Sequence, residues 1–167
     1  MTTTFQQSII CKLGGYVNSN PELVISYPPI KESIENPQET IKECMPYGCK
    51  AGDIVEKKYL KNTLLSYIFN MEKAEERDDL LSFSILLSKK EDTELYKAVI
   101  KEFIETLRQN SLLKENTFIE YQESIYDSFN QENDIKIENV SISLSDLFEE
   151  KREELNLSEF DPKGSFF

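Results

Sequence analysis

Two stretches decide the fold: TLLSYIFN at residues 63–70 and LLSFSILLS at residues 80–88. Both are short and apolar on both faces, the pattern of strands that run through the middle of a sheet. Such a strand lies between two covering layers, or against helices on one side and a partner on the other. Between them MEKAEERDD, residues 71–79, is a charged nine-residue connection, longer than a tight hairpin requires. Upstream, residues 53–59 alternate weakly and the pair Lys61-Asn62 offers a tight turn, so three consecutive strands are expected.

Working outward, residues 93–110 carry Leu95, Ala98, Val99, Phe103 and Leu107 at three- and four-residue spacing, with Ile100 and Ile104 widening the stripe. This spacing predicts a helix. Leu112 and Leu113 lead to a second one, where Thr117 and Glu120 read as a capping box before the apolar face of Phe118, Tyr121, Ile125 and Phe129. Toward the N-terminus, residues 8–13 end in Gly14-Gly15 and residues 22–27 run into Pro28-Pro29, which reads as a strand pair joined through Asn18-Ser19-Asn20-Pro21. Asn36-Pro37-Gln38-Glu39 then has a cap residue, a proline at the first helical position and an acid three residues on. Ile41, Cys44 and Met45 share a face before Pro46 and Gly48 end that helix.

The expected architecture is therefore α+β, with the order ββ-α-βββ-αα over residues 1–130. Residues 131–167 are expected to be an acidic tail: from position 130 onward there are ten acidic residues against four basic. Within it the run 135–144 is apolar, and Ser145 is placed to cap a short helix whose Leu147, Phe148 and Leu155 would dock on the body or on a partner.

Composition excludes several function classes. Across 167 residues, 19 Lys+Arg stand against 31 Asp+Glu, a net charge of −12 with the lysines scattered, which is the opposite of a nucleic-acid binder. Histidine is absent, and with it the commonest general base and metal ligand. Neither a membrane-spanning run nor a signal-peptide pattern is visible, so a cytoplasmic protein is expected. The three cysteines, Cys11, Cys44 and Cys49, read as reduced thiols serving as small core residues, without the spacing of a zinc site. Gly14-Gly15 and Gly48 do not form a phosphate loop, and acidic pairs such as Glu149-Glu150 sit on a solvated helix without an aromatic shell. Neither cofactor nor metal is expected, and no catalytic residue is assigned.

The element order resembles that of the longin fold, a five-stranded antiparallel sheet with one helix on one face and two on the other. The segment Pro21-Glu22-Leu23-Val24-Ile25-Ser26-Tyr27-Pro28-Pro29 is similar to the second strand of longin domains in DENN, folliculin and nitrogen-permease-regulator proteins. Lys57-Lys58-Tyr59-Leu60-Lys61-Asn62-Thr63-Leu64-Leu65 resembles a strand junction of the last of these, and Arg77-Asp78-Asp79-Leu80-Leu81-Ser82 resembles a strand start in archaeal longin-domain proteins. The resemblance spans residues 5–130. It implies a non-catalytic platform that binds a Ras-like small GTPase, or that dimerises with a longin or roadblock-type domain, including a second copy of itself. It also implies work at membrane surfaces, in trafficking or nutrient signalling; an acidic chain would reach anionic lipid through a partner, with no insertion of its own.

Five residues are candidate partner contacts. In some regulators of this fold a loop arginine stabilises the transferring phosphoryl group. The matching position here is Lys61, which lacks the planar fork of arginine, and by exposure it is Arg77, flanked by Glu75, Glu76, Asp78 and Asp79. The bland reading of both is a solvated loop charge. Tyr27, before two prolines, reads first as a strand stop. Leu147 and Phe148 are the apolar face of the tail helix. Two alternatives remain: a structural subunit that assembles without a GTPase, and a thiol enzyme using Cys44 or Cys49.

Overall fold

A computed structural model describes residues 5–13, 20–29, 36–59, 61–71, 79–88 and 91–159. In chain order the elements are β1 (Phe5–Leu13), β2 (Glu22–Tyr27), α1 (Pro37–Cys44), β3 (Ile54–Tyr59), β4 (Asn62–Met71), β5 (Asp79–Leu87), α2 (Thr93–Gln109), α3 (Glu115–Gln131), β6 (Ile135–Ile137), β7 (Val140–Ile142) and α4 (Leu144–Glu159). The first five strands form one antiparallel sheet in the order β2-β1-β5-β4-β3. The expected α+β class and five-stranded antiparallel sheet are present.

The two stretches that are apolar on both faces take the positions their composition requires. β5 is the central strand, with β1 on one side and β4 on the other. Its Leu81, Phe83, Ile85 and Leu87 face the large core under α2 and α3, which also takes Leu65 and Phe69 of β4. Leu86 of β5 and Leu64 and Ile68 of β4 face the other way, into a smaller cluster closed by Ile41, Cys44 and Met45 from α1 and its end. Alternation thus divides each strand between two cores. A bulge between Ile10 and Cys11 lets β2 do likewise: Leu23 packs with the smaller cluster, whereas the adjacent Val24 and Ile25 both pack with the larger.

Local chemistry accounts for the helix starts. The Asn36 side chain accepts from the amides of Gln38 and Glu39 at 3.0 and 3.3 Å, with Pro37 in the first turn. Asp92 does the same for Glu94 and Leu95 at 3.1 and 3.3 Å, and α2 buries Leu95, Tyr96, Val99, Ile100, Phe103, Ile104 and Leu107. α3 departs from expectation. It begins at Glu115 with Lys114 at the cap and no side-chain capping bond, because the Thr117 hydroxyl lies inside the helix and donates to the Leu112 carbonyl at 2.7 Å. Its apolar face holds for Phe118, Ile125 and Phe129; Tyr121 is half-buried at a kink, and its hydroxyl accepts from the Glu138 amide at 3.1 Å.

The segment expected as an acidic tail packs onto the body. β6 and β7 form a small antiparallel hairpin, Ile135 opposite Ile142 and Ile137 opposite Val140, and α4 runs back along α2. Ile135, Ile137, Ile142, Leu144 and Phe148 belong to the same large core as β5 and α2. Phe148 meets Tyr96 edge-on at 5.4 Å and Phe129 at 6.1 Å. Asp134, Glu138, Asp146, Glu149, Glu150, Glu153 and Glu154 are exposed, so a composition typical of a solvated tail is also that of an amphipathic covering layer. Asp134 secures the start of α4: its Oδ1 accepts from the hydroxyls of Ser143 and Ser145 at 3.1 and 2.7 Å and from the Ser145 amide at 3.4 Å.

Candidate functional site

The four candidate contacts that fall within the described residues do not converge. Tyr27 ends the edge strand β2, its ring edge-on to Tyr126 of α3 at 5.1 Å and its hydroxyl donating to Glu123 Oε1 at 3.3 Å. Partial burial, together with the Glu123 carboxylate, pushes its phenol above the usual range. Lys61 sits at the turn into β4, exposed and in the left-handed region at φ 64°, beside the opposite edge strand β3. The whole width of the sheet separates the two. Arg77 lies outside the described residues. Of the two occupants proposed for the tail helix, body or partner, the structure seats Phe148 in the body, fully buried, while Leu147 is half-buried against the same core. The surface these residues offer is therefore Lys61 on one edge and the outer side of Tyr27 on the other.

Among the shallow clefts that the described residues line are the following two. One, of about 240 Å³, lies between the start of α2 and α4 and is lined by Asp92, Leu95, Tyr96, Arg152 and Leu155 among others. Its only cation is committed, since Arg152 is held by Glu132. The other, of about 220 Å³, is formed by Arg108, Ser111, Leu113 and Lys114 where α2 gives way to α3. Here too the arginine is engaged, Nη2 donating to the Asn70 carbonyl at 3.2 Å and Nε lying 3.6 Å from Glu105. Among the described residues no group of three His, Cys, Asp or Glu could hold a metal ion, and no helix is long and apolar enough to cross a membrane.

The densest collection of reactive side chains is buried under α1. Cys11 on β1 and Cys44 at the end of α1 are both fully buried and their thiols hydrogen bond to each other. Ser82 stands directly opposite Cys11 across β1 and β5, and Ser66 and Ser84 stand opposite each other across β4 and β5 with hydroxyl oxygens 2.6 Å apart. All three serines are completely buried. The hydrogen bond from Cys11 favours ionisation at Cys44 against the opposing effect of burial, aided by Ser84, Ser66 and the Lys57 charge, whereas the same contact and burial push Cys11 up. Cys49, half-buried beyond the helix, is pushed up by burial and by Asp53.

Of the two thiols that a thiol enzyme could use, Cys44 is sealed from substrate and Cys49 is half-buried. Sequence reading located Cys44 on the buried face of its helix but did not pair it with Cys11. The signal was present in part: Cys11 follows two apolar residues on a strand, at a position whose facing depends on register. The Arg108–Glu105 pair has the i,i+3 spacing of a helix face, whereas the bonds of Arg108 to Asn70 and of Arg152 to Glu132 had no local signature. Compared with known proteins, the chain matches no family model and no curated relative.

Proposed function

We propose that this chain is a longin-fold interaction module that binds a Ras-like small GTPase and regulates or scaffolds it, contributing no catalysis of its own. The observation that carries the reading is topological: through α3 the chain order ββ-α-βββ-αα combined with the strand order β2-β1-β5-β4-β3, with α1 over one face and α2 and α3, joined by α4, on the other. The segments around Tyr27 and Lys61 that resemble longin sequences fall on β2 and on the β3–β4 turn of this sheet. The net charge of −12 suits a partner with a basic face and keeps the chain itself off anionic lipid. The test is a pull-down with the full chain from lysate of its source cell, one arm loaded with a GTP analogue and the other with GDP. A GTPase enriched in one arm is the expected result; none in either arm ends the proposal.

A second reading, a structural subunit that joins another copy or a longin or roadblock-type domain, is favoured by β3. Among the described residues this strand pairs only with β4, leaving its other edge without a strand neighbour. Lys57 and Lys58 on it blunt indiscriminate pairing, so a partner must accommodate them. A single monomeric species in sedimentation at high concentration would exclude self-assembly.

A further inference from the structure

We infer that Cys11 and Cys44 form a reversible redox latch, an intramolecular disulfide that fastens α1 to the sheet when a peroxide or a small-molecule disulfide oxidises the pair. Cys11 and Cys44 are both fully buried in the smaller cluster and in mutual hydrogen-bond contact, at positions 33 apart in sequence, and neither is in a disulfide. α1 is only eight residues long and is the single helix contributing to the smaller cluster. Beyond apolar contact it is held by the Thr40 hydroxyl, 2.6 Å from the Tyr59 hydroxyl, and by Glu43, 2.9 Å from Lys57. Such an element opens locally at lower cost than the large core, and opening is what admits the oxidant to Cys44.

The chemistry is balanced by the two thiols and one peroxide. Once α1 opens, Cys44 gives its proton to solvent and the thiolate attacks one peroxide oxygen. The O–O bond breaks, a sulfenic acid forms, and the departing hydroxide takes up a proton as water. Cys11 then attacks the sulfenic sulfur; the S–S bond forms as the S–O bond breaks, and the second water carries away the remaining proton. Two electrons pass from the thiol pair to the peroxide. With a glutathione-type disulfide the same bond forms by two exchanges, releasing two thiols. Cys49, half-buried and pushed toward the protonated form, is the spectator.

The experiment treats the intact folded chain with hydrogen peroxide or with oxidised glutathione, blocks free thiols under denaturing conditions and maps peptides by mass. The expected product is a Cys11–Cys44 linked peptide lighter by two hydrogens, reversed by dithiothreitol, with Cys49 blocked as a free thiol. It should form equally in Cys49→Ser. Amide exchange over residues 37–44 should slow at least ~10-fold in the oxidised protein, because the cross-link removes the open state. Three free thiols after prolonged exposure, a link to Cys49, or a link between two chains would each overturn the latch.

Discussion

Arg152 of α4 grips Glu132 with both prongs of its guanidinium, Nη1 2.6 Å from Oε1 and Nη2 2.5 Å from Oε2, where Glu132 ends α3 in the left-handed conformation at φ 56°. The guanidinium also lies 5.7 Å over the Phe148 ring. One side chain therefore ties α4 to the end of α3 and covers the ring that α4 buries. About half of the arginine side chain remains exposed, which caps what the pair contributes. Arg152→Ala should lower stability by about 1 kcal/mol. A urea midpoint unchanged from that of the intact protein would show that solvent screening cancels the pair.

Phe148 is the test of whether residues beyond 130 belong to the folded unit. Fully buried between Tyr96 and Phe129, it leaves a ring-sized cavity when shortened. Phe148→Ala should cost about 3–5 kcal/mol, a large part of the stability of a domain this size. Loss of cooperativity in thermal unfolding would be the extreme form of the same result, whereas a change of less than about 1 kcal/mol would mean that α4 is dispensable.

Asp134 predicts a pH effect. Its carboxyl is held below its ordinary value of 3.8 by hydrogen bonds from the Ser145 and Ser143 hydroxyls and the Ser145 amide. A depressed folded-state value means that the folded protein binds the proton less readily than the unfolded chain. The stabilisation is fully present above the unfolded value and is lost as pH falls through the folded one. Asp134→Asn should therefore flatten the fall in stability below about pH 4 while leaving the slope between pH 6 and 8 unchanged. Parallel stability curves for the two proteins throughout the acid range would contradict this.

Tyr59 controls how firmly α1 sits. Its hydroxyl is 2.6 Å from that of Thr40, a residue almost completely buried that also donates to the Asn36 carbonyl. Tyr59→Phe removes one partner and leaves the ring in place, so the expected cost is about 1 kcal/mol. Amide exchange at residues 37–44 should accelerate more than exchange in α2. Equal acceleration in both helices would place the effect on global stability instead.

Ser66 and Ser84 share a hydrogen bond in a buried site, so removing one leaves the other only its contact with Cys44. Ser84→Ala alone should cost about 1 kcal/mol. The double change to alanine should cost less than the sum of the two single changes, a coupling that a double-mutant cycle in urea measures directly. Strict additivity would argue that the hydroxyls do not depend on each other.

The sequence by itself determined the elements and their order through residue 130, because the signals are local. Asn36 and Asp92 cap helices through amides two and three residues away, and the stripe from Leu95 to Leu107 needs only its own period. The double-faced strands likewise declared that both faces of the sheet are covered. Where a local signal misled, at Thr117, the hydroxyl had a competing acceptor in the Leu112 carbonyl five residues back. Tertiary structure alone decided that Phe148 fills the body rather than waiting for a partner, that Tyr27 and Lys61 lie at opposite edges, and that Cys11 meets Cys44. Each of these depends on which strands neighbour one another and in what register. The bulge after Ile10 shows why that is beyond a local reading: one extra residue changes which face of the sheet a side chain enters, and only packing against distant elements selects where it falls.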